Sequence, residues 1–297
     1  MAKIKSSKED LVFDIINYTF LTLIFICVLY PLYFIVIASV SDPTLVNNGR
    51  VILLPKGINF DGYKKVFEYN LIWRGYANTI FYTVVATSFN IIVTMMVAYP
   101  LSRKVFSGKK VLMIYLMITM YFNGGLIPTY LVVKSLGLYD TWMVMLILGM
   151  VSIFNVIIAK TFIQSSIPEE LFEAATIDGC SHIEFFIRIV FPLSKAIVAV
   201  LVLYYGMEHW NDFMNALIYL SNEQYFPLQI ILRKILLASD LSGEMFTAAA
   251  EDAVRRQNEV EMMKYALIIV STIPVMILYP FLQKYFVQGV MIGSVKG

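Results

Sequence analysis

Glu208, Asn211, Asp212 and Asn215 recur at i, i+3, i+4 and i+7 within an otherwise apolar stretch, the spacing of one face of a helix. Tyr204 and Tyr219 extend this stripe by roughly one turn at each end, and Trp210 lies about half a turn away. Carboxylates and amides hydrogen-bond hydroxyl groups, and aromatic rings stack on the apolar faces of pyranose rings. The same polar side chains also bond one helix to another inside a membrane. A carboxylate facing lipid costs roughly 3 kcal/mol or more, so the stripe must face protein or a water-filled cavity. A second polar group, Tyr121 and Asn123 with Gly124 and Gly125, precedes Pro128. Paired glycines there mark a broken helix, which is tolerated where backbone lines a cavity.

These residues point to passage and binding rather than to bond breaking. The chain has no H-E-x-x-H and no cluster of Cys and His at metal-ligand spacing. Gly108-Lys109-Lys110 lacks the upstream glycine and the hydroxyl residue of a phosphate-binding loop. His182 and His209 stand alone and read as structural. Cys27 sits inside an apolar stretch and Cys180 in a polar loop, so a disulfide between them is not expected. The chain is not expected to be an enzyme or to hold a cofactor.

The elements that position these groups must be membrane helices. Of 297 residues, 59% are hydrophobic and only 15% charged, against about a quarter charged in a soluble domain. Mean hydropathy is +0.73. Apolar runs of about 20 residues recur, long enough to cross a bilayer as helix. The expected fold is an all-α polytopic membrane protein with six transmembrane helices, near 11–39, 77–102, 111–134, 142–163, 193–220 and 263–283. The first is too long for a cleavable signal and reads as a retained span. A net charge of +2 gives no argument for nucleic acid.

Orientation follows from basic loops. Arg103, Lys104, Lys109 and Lys110 crowd residues 103–110, which places that loop in the cytoplasm. Lys3, Lys5 and Lys8 place the N-terminus on the same side. Six crossings then return the C-terminus, with Lys284 and Lys296, to the cytoplasm as well. The longer polar stretches 40–76 and 221–262 fall outside. No internal repeat or interdomain linker is visible, so residues 1–297 read as one membrane domain.

The loop at 166–190 then faces the cytoplasm. Ser166 and Glu169 have capping-box spacing, so a helix is expected from about Ile167, with Pro168 in its first turn. Asp178-Gly179 is a stop signal. Ala174 and Ala175 leave a shallow surface, and Leu171 and Phe172 supply an apolar anchor. A second helix is expected from about Ser181 toward Pro192.

The run Glu173-Ala174-Ala175, then Gly179, Ile189 and Pro192, resembles the EAA loop of membrane subunits of bacterial ABC importers. Nearly the whole chain resembles the maltose-type second-subunit family of carbohydrate importer permeases. AYPLSRKVFSGKK at 98–110, YFNGGLIPTYLVVKSLGL at 121–138, HWNDFMNALIYL at 209–220 and the C-terminal YPFLQKYFVQGVMIGSVKG carry the likeness, the second and third matching the oligo- and polysaccharide branch. The family pattern usually has Leu where this chain has Phe191.

The resemblance implies a permease subunit of an ATP-driven, binding-protein-dependent importer of an oligosaccharide, in the bacterial cytoplasmic membrane. It implies as partners a sister permease, two ATPase subunits carrying the ATP and magnesium, and an external solute-binding protein. It assigns Phe172, Glu173, Ala174, Ala175, Asp178 and Gly179 to ATPase coupling. Tyr204, Glu208, Trp210, Asn211, Asp212, Asn215 and Asn123 become candidates for the sugar pathway. It also brings the C-terminal tail toward the ATPase and the 221–262 loop toward the binding protein. The competing class is an ion-coupled secondary transporter, which would show internal repeats.

Overall fold

The computed structural model describes residues 8–242 and 260–280. Among the described residues every regular element is helical. They run α1 Lys8–Ser39, α2 Pro43–Asn47, α3 Asp61–Glu68, α4 Asn70–Ser102, α5 Lys109–Tyr121, α6 Leu126–Ser135, α7 Val144–Ile147, α8 Ile153–Ser166 and α9 Glu169–Ile177. The chain continues through α10 His182–Phe185, a π-helical turn over Phe186–Val190, α11 Phe191–Leu193, α12 Lys195–Trp210, α13 Met214–Tyr219, α14 Leu228–Ser242 and α15 Val260–Pro280. The C-terminal tail from Gln288, Lys284, Lys296 and the N-terminal lysines at 3 and 5 lie outside the described residues, as does most of the 221–262 loop beyond Ser242.

Three helices, α1, α4 and α15, are each long and apolar enough to cross a membrane. Two bent pairs pass the same length and composition test: α5 with α6, bent by 109°, and the α10–α11 segment with α12, bent by 78°. That makes five at most among the described residues, so six continuous spans are not seen. The expected span at 142–163 is interrupted. It is a four-residue α7, an extended segment and a 14-residue α8. Alone, α8 reaches about 21 Å at ~1.5 Å per residue, short of a hydrocarbon core of about 30 Å. The interruption has a local cause. Gly149 takes φ +74, and the Ser152 hydroxyl accepts the Asn155 N–H to start α8.

The chain divides into two units. One comprises residues 1–69 and 232–272. Within it the C-terminal end of α1 packs Ile37 and Ala38 against Val46 and Val51, with Phe34 and Tyr265 alongside. Phe34 and Tyr265 meet edge to face at 6.2 Å. The rest of α1 is apolar and exposed, the surface of a helix solvated by lipid or covered by another subunit.

The other unit comprises residues 70–231 and 273–297, and it carries every candidate site residue. Its core lies where α4, α8, α12 and the segment before α12 meet. Met95, Leu101, Val156, Ile163, Phe185, Leu201 and Tyr205 are fully or almost fully buried there. At the other end of α4, the 220–228 segment is tied down by hydrogen bonds. Thr79 Oγ1 accepts the Leu228 N–H at 2.8 Å, and Tyr82 donates to the Tyr225 carbonyl at 2.9 Å.

Candidate functional site

The short helix α9 forms as the sequence suggests, with one correction at its start. It begins at Glu169, with Pro168 as the N-cap residue and no side-chain cap. The expected capping box does not form, because Ser166 is still the last residue of α8. Glu169 instead accepts a hydrogen bond from Arg103 Nη2 at 2.8 Å. The Arg103 side chain is 8% exposed and Glu169 21%. The guanidinium also lies 3.8 Å from the centroid of the Phe172 ring, a cation–π arrangement. The loop after α4 is thereby fastened to the first turns of α9. Sequence reasoning had used Arg103 only as a positive charge for orientation, and its spacing from Glu169 carries no local signal.

The far end of α9 closes as a Schellman motif. Cys180 N–H donates to the Ala175 carbonyl at 2.9 Å, and Gly179 N–H to that of Thr176 at 3.0 Å. Gly179 holds φ +80, and a Cβ built there would meet nothing within 4 Å. Ser181 then caps α10 by accepting the Glu184 N–H at 3.2 Å. The second helical segment therefore starts where Ser181 predicts.

Burial sorts the six coupling candidates. Phe172 faces inward, stacked on His182 and edge to face with Phe185, each with ring centroids at 5.1 Å. Ala175 is half-buried against the core. Glu173, Ala174, Asp178 and Gly179 are exposed. Beside them stand Ile177 at 86% and Ile183 at 73% exposure. An isoleucine so open at a loop tip is left bare for a partner or is simply exposed, since scattered single apolar residues are normal. Here the two sit on either side of the Gly179 turn, next to a surface kept low by Ala174. Desolvation first, and then the Glu184 carboxylate, push the Cys180 thiol above its ordinary range, so it stays protonated and unreactive near neutral pH.

The polar stripe requires a larger correction. α12 stops at Trp210, Asn211 is its C-cap residue, and α13 begins only at Met214. Glu208, Asn211, Asp212 and Asn215 therefore do not share one continuous helical face. Asn211 Nδ2 donates to the Met207 carbonyl at 2.8 Å. Asp212 Oδ1 accepts the Asn215 N–H at 3.1 Å, and its Oδ2 accepts Asn215 Nδ2 at 2.8 Å. The polar side chains satisfy the broken backbone, the service that lets a membrane helix interrupt itself.

Two of the three aromatic members turn inward. Trp210 is 6% exposed and meets Tyr76 edge to face at 6.2 Å. Tyr219 is 3% exposed and stacks on Tyr130 at 6.1 Å. Glu208 and Tyr204 remain exposed. Glu208 borders the interruption before α8, its Oε1 lying 3.7 Å from where a Cβ on Gly149 would stand. Asn123 is exposed and accepts the Gly125 N–H at 2.8 Å. Gly125 holds φ +88 between α5 and α6, so the glycine pair breaks the helix as expected.

A polar seam that sequence reading missed runs inside this unit. Thr83, Thr87, Asn90 and Thr94 recur along α4. Asn90 Nδ2 meets His209 Nε2 at 2.9 Å, and Thr94 meets the Tyr205 hydroxyl at 2.7 Å. Tyr205 also accepts the Ser152 N–H at 3.1 Å. His209 is thus a buried structural group. The i, i+4, i+7, i+11 spacing of small polar residues on α4 is the signal that would have found this seam.

The two roles within the former stripe separate by substitution. Asp212→Ala removes the acceptor of the Asn215 N–H in the first turn of α13 and is expected to cost about 1 kcal/mol, lowering thermal stability alike for every cargo. Glu208→Gln keeps shape and helix and is expected to leave yield unchanged while altering uptake from one solute to another. Uptake assays with several solutes, run beside melting curves of the purified complex, check both. Equal loss for all solutes in Glu208→Gln would place Glu208 with the structural residues.

Comparison with known proteins gives a consistent picture. A family described as binding-protein-dependent transport system inner membrane component matches residues 83–292. The chain is similar to the protein LplC of Bacillus subtilis, 39% identical over 293 residues, covering 98% of this chain and 97% of that one. It is similar to the polygalacturonan/rhamnogalacturonan transport system permease protein YtcP of the same organism, 37% identical over 290 residues, 97% and 100% of the two chains. Among solved structures, it resembles a chain of a bacterial ABC transporter involved in the import of the acidic polysaccharide alginate. There the TM-score is 0.86 at 34% identity, over 96% of this chain and 100% of that chain.

Proposed function

We infer the role of this chain from its family: it belongs to the inner membrane components of binding-protein-dependent transport systems. It is a permease subunit of an ABC importer, a transport component and not itself a catalyst. The relatives give no support to an ion-coupled carrier. Its cargo is an oligosaccharide, and the named polysaccharides of two similar proteins favour an acidic one. It forms half of the pathway with a sister permease. ATP and magnesium are handled by two ATPase subunits, and an external solute-binding protein delivers the sugar.

The observation that carries the coupling role is the exposed turn of α9. It has small residues on its surface, a positive-φ glycine at its end and an ion pair fastening its start. Such a helix transmits movement of a docked partner because it is held rigidly at both ends. The basic 103–110 loop, next to it through Arg103, supports a cytoplasmic position for this surface, on the side where ATP is.

Expression with its neighbouring transport genes and purification through a tag on this chain test the role. Co-purification of a second permease and an ATPase, with ATP-dependent uptake of a labelled oligogalacturonide by proteoliposomes, is expected. Activity of the chain alone, driven by an ion gradient, would overturn it. Orientation is tested by Ser107→Cys and Asn48→Cys, placed after and before α4 in a Cys180→Ser background. An impermeant thiol reagent is expected to reach them from opposite sides. Labelling from one side would remove α4 as a span.

A further inference from the structure

We propose that a hollow lined by Lys109, Lys110 and Lys160 binds the phosphate headgroup of an anionic glycerophospholipid. The hollow holds about 300 Å³ and lies between the end of α4, the start of α5 and α8. Its lining carries three ammonium groups and no carboxylate. Met113 and Ile114 continue it along α5 at i+3 or i+4 from the lysines, and Met117 one turn further on. One end thus offers N–H donors to an anion and the other offers soft apolar surface to methylenes.

Three observations favour lipid over a protein anion. α5 has no buried residue, and Ile114 and Met117, which line the hollow, are exposed at 54% and 40%, so its wall is itself an apolar face. Lys160 is half-buried, and neither it nor Lys110 has a hydrogen bond or ion pair among the described residues. Lys109 is steered by a 3.2 Å bond to the Arg103 carbonyl, which leaves two of its N–H groups for a ligand. A cationic cluster just past the end of a span, backed by apolar side chains, matches an anionic headgroup with its first acyl methylenes. The bond to Arg103 also joins the hollow to the residue that fastens α9, so lipid occupancy steadies the coupling helix.

The inference rests on the membrane-subunit assignment but not on orientation. The test is native mass spectrometry of the complete importer, released from nanodiscs holding equal phosphatidylglycerol and phosphatidylcholine. Phosphatidylglycerol is expected to be retained in excess. Lys160→Gln should lower its retention about fivefold, and Lys110→Gln with Lys160→Gln more than tenfold. Met113→Trp, which fills the apolar part without touching charge, should lower retention of either lipid. Retention is counted per assembled complex, and exposed Lys110 guards against a folding artefact. Equal retention of the two lipids, or unchanged retention in the double variant, would overturn the site. So would a crosslink from Met113→Cys to the sister permease, which would show the hollow covered by protein. Each of these overturning results leaves the importer-subunit assignment standing.

Discussion

Replacing Gly179 with valine is expected to lower sugar-stimulated ATP hydrolysis about tenfold or more while leaving the subunit inserted and assembled with its sister permease. Gly179 sits at φ +80 at the end of α9, where an L-residue meets its own backbone and costs about 1–2 kcal/mol. Valine, branched at Cβ, is a worse fit there than alanine. Nothing lies within 4 Å of the added Cβ, so the fold around the turn is not crowded. The damage is confined to the two Schellman hydrogen bonds and to the bare surface between Ile177 and Ile183. Gly179→Asn is the control, since asparagine tolerates this conformation and can keep the turn. Its uptake should stay within a fewfold of wild type, whereas Gly179→Val should lose about tenfold or more, one tenth for each ~1.4 kcal/mol of coupling free energy. Wild-type hydrolysis and uptake in Gly179→Val would remove the α9 turn from the coupling path.

Breaking the Arg103–Glu169 pair is the second large effect. Glu169→Ala leaves a guanidinium 8% exposed without its carboxylate. Removal of one partner from a buried pair costs about 3–5 kcal/mol. Residual exposure of Glu169 at 21% lowers the expected loss to about 2–3 kcal/mol. Phe172 still faces the guanidinium, so α9 loosens at its start rather than unfolding the unit. The expected outcome is faster proteolysis within 167–180 and uncoupled or absent hydrolysis, with the spans intact. Arg103→Lys should rescue only in part, because an ammonium lacks the planar face that stacks on Phe172. A double-mutant cycle over Arg103→Ala and Glu169→Ala, read in stability and in stimulated hydrolysis, measures the coupling. Additive effects would mean that the pair does not act as one fastening.

The features of the fold that were legible in the sequence share one property: a local rule decides them. Gly179 after Asp178 stops α9, Ser181 starts α10, and the glycine pair before Pro128 breaks α5 from α6. Each needs only a glycine free of Cβ or a hydroxyl near an unpaired N–H. The missed parts were decided by tertiary context or by weak signals. α12 ends after Trp210 without glycine or proline, so hydropathy alone drew a helix through it. Asn211, Asp212 and Asn215, which would share a face only on a continuous helix, bond to the backbone and to each other around that break. The interruption before α8 did have a signal, Gly149 followed by Ser152, but it was hidden in a run of apolar residues. The spacing of Ser166 and Glu169 fits a capping box as well as it fits the observed ion pair, and only the distant Arg103 decides between them. The buried seam of α4 was overlooked because threonine and asparagine within an apolar helix barely change its hydropathy.

The coupling role proposed for the exposed turn of α9 requires that an ATPase subunit dock there. The most direct measurement is photo-crosslinking from benzoylphenylalanine placed at Ile177, which at 86% exposure accepts a bulky probe without disturbing the core. In membranes holding the complete importer, illumination is expected to join this chain to the ATPase subunit. The yield should change when ATP and binding protein are added. A probe at Val111, also bare on α5 at 75% exposure, should capture lipid and no ATPase. An ATPase adduct from Val111, with none from Ile177, would contradict the account.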